Sequence, residues 1–122
     1  MSERVYRVQA VDGRGPFRPG FSIRWCDTEG DDRPPTLMEE FPNLEFKPGF
    51  HFGTGVRKLE DINRWFTEIE QVRLCELGFN VVSMDVDKIL AESKNQIVFA
   101  RKQPLMFGAL IVPWPRQVKV QP

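Results

Sequence analysis

The chain has 122 residues, enough for one domain and too few for two of ordinary size. Its 17 basic and 17 acidic residues balance, and 41% of the chain is hydrophobic. These values argue against a disordered chain and a general nucleic-acid-binding domain, which is usually strongly basic. The longest weakly polar run, Leu105–Trp114, is about half the ~20 residues of a membrane helix. We therefore expect a single domain over residues 1–122, soluble and cytoplasmic.

The first 25 residues combine one clear strand pattern with a turn. Val5–Val11 alternate between two faces and are rich in β-branched residues, which predicts a strand. Gly13–Pro16 then end it. Phe21–Trp25 fit a short second strand or an extended segment.

Residues 27–50 form a predicted acidic loop. The segment contains seven acids against two bases, Arg33 and Lys47. Loops of this length are uncommon in compact domains and are often lids or binding loops. We expect this one to be exposed and mobile. The acids are Asp27, Glu29, Asp31, Asp32, Glu39, Glu40 and Glu45.

An amphipathic helical pattern follows Gly55. Apolar residues recur at steps of three and four, and Thr67 with Glu70 has the form of a capping box. The pattern predicts two helices, Lys58–Phe66 and Glu68–Leu77, with Gly78 as a helix stop. The residues expected to be buried against a sheet are Leu59, Ile62, Phe66, Ile69 and Leu74 or Leu77.

The remaining segments favour strands. Phe79–Val86 and Gln96–Arg101 read as strands, and Asp87–Asn95 as a helical turn or turn connection. Leu105–Val112 is a candidate buried strand and Gln117–Val120 a short edge strand. The predicted class is α+β, with mostly antiparallel sheet and one or two central helices.

Few residues carry a recognisable chemical pattern. The sequence has no phosphate-binding loop, no nucleophile elbow and no multi-histidine metal motif. Arg7 lies within a strand pattern, where it is either on the surface of an edge strand or at the floor of an anion-binding cleft. His51, in the aromatic, glycine-bounded segment Phe50–Gly55, is either a hydrogen-bonded structural residue or part of a site.

Two short segments resemble a known enzyme family. Val5–Arg7, followed by Gly13–Phe17, resembles the first strand of ADP-ribosyltransferase toxins of the arginine-motif class. The resemblance implies an ADP-ribosyltransferase-like fold with an NAD pocket organised by the strand arginine. Phe52–Thr54 stand where the central motif of the family falls, and Gln96–Phe99 look like its late strand.

The resemblance assigns roles to five positions in this sequence. It implies that Tyr6, Arg7, His51 and Thr54 bind NAD and that Arg7 and Gln96 act in catalysis. Gln96 stands where a transferase has glutamate, and an amide lacks the charge that stabilises an oxocarbenium-like centre.

A second resemblance covers more of the chain. Phe52–Phe66 and Gly78–Phe99 are similar to segments of small phage and prophage proteins. Two functions are therefore open. The protein either transfers ADP-ribose to a host protein in the host cytoplasm, or binds and inhibits a host defence complex, as anti-CRISPR proteins do, through the acidic surface of residues 27–50.

Overall fold

The computed structural model describes residues 3–17, 20–27 and 33–115. These residues form two three-stranded antiparallel sheets with short helices between them, so the predicted α+β class is confirmed. The strands are β1 (Glu3–Gln9), β2 (His51–Gly55), β3 (Asn80–Val86), β4 (Lys88–Glu92), β5 (Ile97–Arg101) and β6 (Leu110–Val112). The helices are α1 (Leu37–Glu40), α2 (Ile62–Trp65) and α3 (Glu68–Glu76), with 3-10 turns at Ser22–Arg24 and Leu59–Asp61.

The two sheets meet at neighbouring strands. The first has the order β1-β3-β6 and the second β2-β5-β4. Tyr6 of β1 and Val56, just after β2, exchange two backbone hydrogen bonds of 2.8 Å across the junction. A Cβ atom on Gly55 would stand 2.7 Å from the Tyr6 carbonyl oxygen, so this close approach requires glycine.

Two apolar clusters hold the sheets and helices together. One contains Trp25, Phe66 and Leu74, and the other contains Met84 and Phe99. All five side chains are at most 4% exposed. Burying each large apolar side chain stabilises the fold by roughly 1.5–3 kcal/mol.

The helical region matches the prediction in its boundaries and differs in its buried face. The capping box between Thr67 and Glu70 is present, and Gly78 has φ +92° after α3. Ile69, however, is 53% exposed, so the prediction that it is buried was wrong. Phe66 has an extended backbone, φ −137° and ψ 129°, which interrupts the helical period between α2 and α3.

Two further predictions are corrected. Phe21–Trp25 contain a 3-10 turn instead of an extended strand, and Ile23 is 86% exposed there. Asp87–Asn95 contain strand β4 instead of a turn. Its pairing with β5 shifts register between Ile89 and Ala91, which removes the regular alternation that identifies a strand.

The last apolar run is also mostly irregular. Within Leu105–Val112 the structure has a strand only at Leu110–Val112, where Leu110 is 58% and Ile111 is 70% exposed. The prediction of a buried strand was therefore wrong. Gln117–Val120 lie outside the described residues.

Candidate ligand-binding cavity

A cavity of about 840 Å³ opens beside the junction of the two sheets. Strands β1 and β2 supply part of its wall, and the segments around residues 12–17, 33–38, 62–66 and 104–106 supply most of the rest. All five residues singled out from the sequence line it: Tyr6, Arg7, His51, Thr54 and Gln96. The fold thus brings together residues that are up to 90 positions apart in the chain.

Arg7 is a buried cation in the wall of this cavity. It is 7% exposed, so of the two predicted settings the surface of an edge strand is wrong. Its Nη1 donates to the Thr54 carbonyl oxygen at 3.0 Å and its Nη2 to the Gly13 carbonyl oxygen at 3.2 Å, while its buried Nε has no partner. Burial lowers the pKa of Arg7 to about 10, because removal from water disfavours the charged form.

No carboxylate within the described residues forms an ion pair with Arg7. Its two hydrogen bonds go to backbone carbonyl oxygens, which carry only partial charge. Buried charges in proteins are ordinarily paired. The position therefore suits an anionic group.

Two glycines make room for the Arg7 guanidinium. A Cβ atom on Gly53 would stand 2.6 Å from Arg7 Nη1 and 2.7 Å from Phe99 Cζ. A Cβ atom on Gly15 would stand 3.3 Å from Arg7 Nη2. A Cβ atom at position 53 would therefore displace the guanidinium, whereas one at position 15 would require a shift of only a few tenths of an ångström.

Aromatic and apolar side chains form much of the lining. Phe17 stacks on Phe66 with ring centroids 5.6 Å apart and meets Trp25 edge-on at 5.3 Å. Phe17, Met38 and Met106 line the cavity and are each more than half exposed, which places them at its mouth. Such a lining suits a ligand with a flat, apolar body.

Residues 33–40, the strap segment, run along one side of the cavity. Arg33 at its start forms a buried ion pair with Glu70 of α3, with Arg33 Nη2 2.8 Å from Glu70 Oε2. A capping box between Thr36 and Glu39 begins α1. This part of the predicted acidic loop is therefore anchored and partly helical, whereas Asp31 and Asp32 lie outside the described residues.

Glu40 fastens the other end of the strap segment. Its carboxylate accepts hydrogen bonds from Gln96 Nε2 at 2.7 Å, Ser93 Oγ at 3.0 Å and Asn95 Nδ2 at 3.1 Å. Partial burial raises the pKa of Glu40, but these hydrogen bonds and the nearby Lys94 outweigh it and leave the pKa below its usual value. The carboxylate is therefore charged at neutral pH.

The other predicted site residues make fewer side-chain contacts in the cavity. Thr54 contributes its carbonyl oxygen to Arg7, and Tyr6 contributes backbone atoms to the sheet junction. His51 is exposed at the start of β2, opposite Arg101. Of these residues, Arg7 and Gln96 have the polar side chains most restricted by the fold, at 7% and 6% exposed.

Comparison with known proteins gives one result. The model of a family described as bacteriophage T4 Y00F protein matches residues 1–110. The chain belongs to this family. The sequence resemblance to phage proteins is thereby confirmed, while the match does not support an ADP-ribosyltransferase-like fold. Searches of curated proteins and of solved structures gave no match.

The matched region of this Y00F-family chain includes every residue that lines the cavity. None of the helices in its described residues is long and apolar enough to cross a membrane.

Sequence reasoning missed several residues that shape the site of this Y00F-family chain. Arg33 and Glu40 were counted only as charges of a loop, and Phe17 only as part of a motif. Thr36 and Glu39, three residues apart, carry the capping-box signature that could have revealed α1. No sequence signal places Gly53 against Arg7, because that contact joins two strands of different sheets.

Proposed function

We propose that this phage protein binds NAD in the cavity beside the sheet junction. The observation that carries the proposal is Arg7, a buried guanidinium with an unpartnered Nε and no carboxylate partner among the described residues. The pyrophosphate of a dinucleotide supplies the missing negative charge, and arginine matches phosphate oxygens with its planar array of donors.

The remaining lining suits the other parts of a dinucleotide. Phe17, Phe52 and Trp65 offer aromatic faces, on which a nicotinamide or adenine ring can stack. The volume of about 840 Å³ lies within the usual range for small-molecule and cofactor sites, roughly 300–1,000 Å³.

Binding is separable from ADP-ribosyl transfer in this site. Gln96 lines the cavity as a neutral amide, and Asp12 is the one carboxylate that the described part of the chain contributes to the lining. Neither matches the late-strand glutamate of a transferase. Transfer of ADP-ribose to a host protein is the reaction that such binding would serve in the host cytoplasm. Incubation with labelled NAD and host lysate tests it, because transfer leaves label on a protein.

Thermal denaturation with and without NAD tests the binding. A ligand that binds only the native state raises the midpoint, and we expect a rise at millimolar NAD. Arg7→Lys should weaken NAD binding about tenfold or more, since a charge-assisted hydrogen bond contributes roughly 1.5–3 kcal/mol. The matched control is Arg73→Lys, at an exposed ion pair with Asp27, which should bind NAD like the wild type.

Two outcomes would overturn the proposal. One is a wild-type midpoint that does not move at millimolar NAD. The other is an Arg7→Lys variant that melts normally without ligand and binds NAD as tightly as Arg73→Lys.

A second candidate function is binding of a host protein through the surface of residues 33–50. Met38 is 65% and Phe46 is 47% exposed there, near the exposed acids Glu39 and Glu45. Exposed apolar side chains bordered by charge are typical of protein interfaces. Recovery of a stoichiometric host complex without modification would favour this function, and a Met38→Ser, Phe46→Ser double variant should lose the complex.

A further inference from the structure

The orientation of the Gln96 side chain is determined by what its nitrogen contacts. Nε2 donates to Glu40 Oε1 at 2.7 Å and to the Pro35 carbonyl oxygen at 3.3 Å. An ionised carboxylate and a carbonyl group only accept hydrogen bonds. The amide nitrogen must therefore face the strap segment, and the amide oxygen is the atom that Gln96 has available for the cavity it lines.

Glu40 is itself held in one place. Ser93 Oγ and Asn95 Nδ2 donate to its two carboxylate oxygens, and α1 ends at this residue after its capping box. Asn95 and Gln96 are 7% and 6% exposed. Hydrogen bonds to a charged group in such surroundings are stronger than neutral ones, so the cluster keeps the Gln96 amide from turning over.

We infer that Glu40 is a positioning residue for the ligand site: it fixes the Gln96 oxygen toward the cavity and thereby selects a ligand that carries a hydrogen-bond donor. The inference rests on the proposed function in that NAD is the ligand. The ribose hydroxyls and the carboxamide of NAD are such donors. The resulting site pairs an anion-binding group, Arg7, with a hydrogen-bond acceptor, Gln96.

The first test needs no ligand. The side-chain amide protons of Gln96 are observed by NMR, and their exchange with solvent is compared between wild type and Glu40→Ala. We expect exchange at least about tenfold faster in Glu40→Ala, because Nε2 loses its charged acceptor. Glu40→Gln, which keeps the size and one acceptor oxygen, should give a smaller increase. Unchanged exchange in both variants would overturn the inference.

The matched control is Glu45→Ala. Glu45 is an exposed acid close to Glu40 in the chain, so the substitution makes the same change in net charge. Gln96 exchange in this variant should equal that of the wild type. An equal acceleration in Glu45→Ala would show that net charge, and not the contact with Glu40, controls the amide, and would also overturn the inference.

The second test measures NAD affinity in a double-mutant cycle. Glu40→Ala should weaken NAD binding at least about fivefold, and Gln96→Ala should weaken it to a similar extent. In the Gln96→Ala background, Glu40→Ala should have no further effect, since Glu40 acts through Gln96. Independent, additive losses would overturn the positioning role and leave Glu40 as an anchor of the strap segment.

Failure of this inference differs visibly from failure of the proposed function. If wild-type protein does not bind NAD, the proposed function is refuted, while amide exchange still decides whether Glu40 holds Gln96. If NAD binds and Gln96 exchange is the same in wild type and Glu40→Ala, the proposed function stands and the positioning role of Glu40 is refuted.

Discussion

Glu70→Gln is expected to destabilise the fold by removing the charge that anchors the strap segment. The Glu70 carboxylate is fully buried and accepts hydrogen bonds from at least four donors. The donors are Arg33 Nη1 and Nη2, at 3.2 and 2.8 Å, and the backbone N–H groups of Asp27, at 2.8 Å, and Thr67, at 3.0 Å. A glutamine offers one oxygen in place of two, and its NH2 group would face donors.

The size of the effect follows from the pKa of Glu70. Burial raises this pKa, but the hydrogen bonds from Arg33, Asp27 and Thr67 outweigh it and lower the pKa from 4.5 to about 2. At about 1.4 kcal/mol per pH unit, this depression corresponds to about 3 kcal/mol of stability. Breaking a buried ion pair ordinarily costs roughly 3–5 kcal/mol, so both arguments agree.

Urea unfolding at several pH values is the assay. The unfolded carboxyl, with a pKa near 4.5, takes up a proton more readily than the folded one. The contribution of Glu70 is therefore complete above about pH 4.5 and is lost as the pH falls toward 2. At pH 7 the Glu70→Gln protein should be about 3 kcal/mol less stable than wild type, and its stability should decline less over the acid range.

Glu68→Gln is the matched control. Glu68 is exposed in the first turn of the same helix, so its charge contributes only a few tenths of a kcal/mol through the helix dipole. A loss below about 1 kcal/mol in Glu70→Gln, or acid profiles of wild type and Glu70→Gln with the same slope, would refute the reasoning.

Three further predictions concern packing and backbone. Phe66→Ala should cost about 3–5 kcal/mol in unfolding free energy, whereas Ile69→Ala, at a 53% exposed position, should cost less than about 1 kcal/mol; equal losses would contradict the assigned buried face. Gly53→Ala should lower the free energy of unfolding by about 1–3 kcal/mol and weaken NAD binding, because the new Cβ displaces Arg7. Crystal structures of the wild type and the variant with Arg7 in the same position would contradict this. Gly78→Ala should lower the thermal midpoint by an amount equivalent to about 1 kcal/mol through its positive φ alone, since among the described residues only its chain neighbours lie within 4 Å of the new Cβ.

The parts of the fold that were predictable depend on local signals. The capping box at Thr67 and the stop at Gly78 involve residues a few positions apart, and they gave the boundaries of α3. The buried face of α3 was not predictable in the same way. The sequence predicted two helices but carried one apolar stripe through both, whereas the extended backbone at Phe66 restarts the helical phase. Leu74 is therefore buried as expected, but Glu70 and Gln71 are buried beside it in place of Ile69.

The site depends on contacts that no local pattern contains. The alternation predicted Val5, Arg7, Gln9 and Val11 on one face of the strand. The first three are buried, whereas Val11 follows the end of β1 and is 82% exposed. Whether that face is buried or exposed depends on how β2 and β5 pack over it. The sequence of β1 does not specify that packing. The same holds for Glu40, which contacts Gln96 only because the strap segment folds across 56 positions of the chain.

Tyr6 and Val56 join the two sheets by a reciprocal pair of backbone hydrogen bonds, and both residues line the cavity. Any breathing motion that widens the cavity by separating β1 from β2 must break these two bonds first. The hydrogen-exchange rates of the Tyr6 and Val56 amide protons therefore report how often the cavity opens in this way. A ligand that spans the junction and contacts both walls should slow exchange at these two amides more than elsewhere in β1.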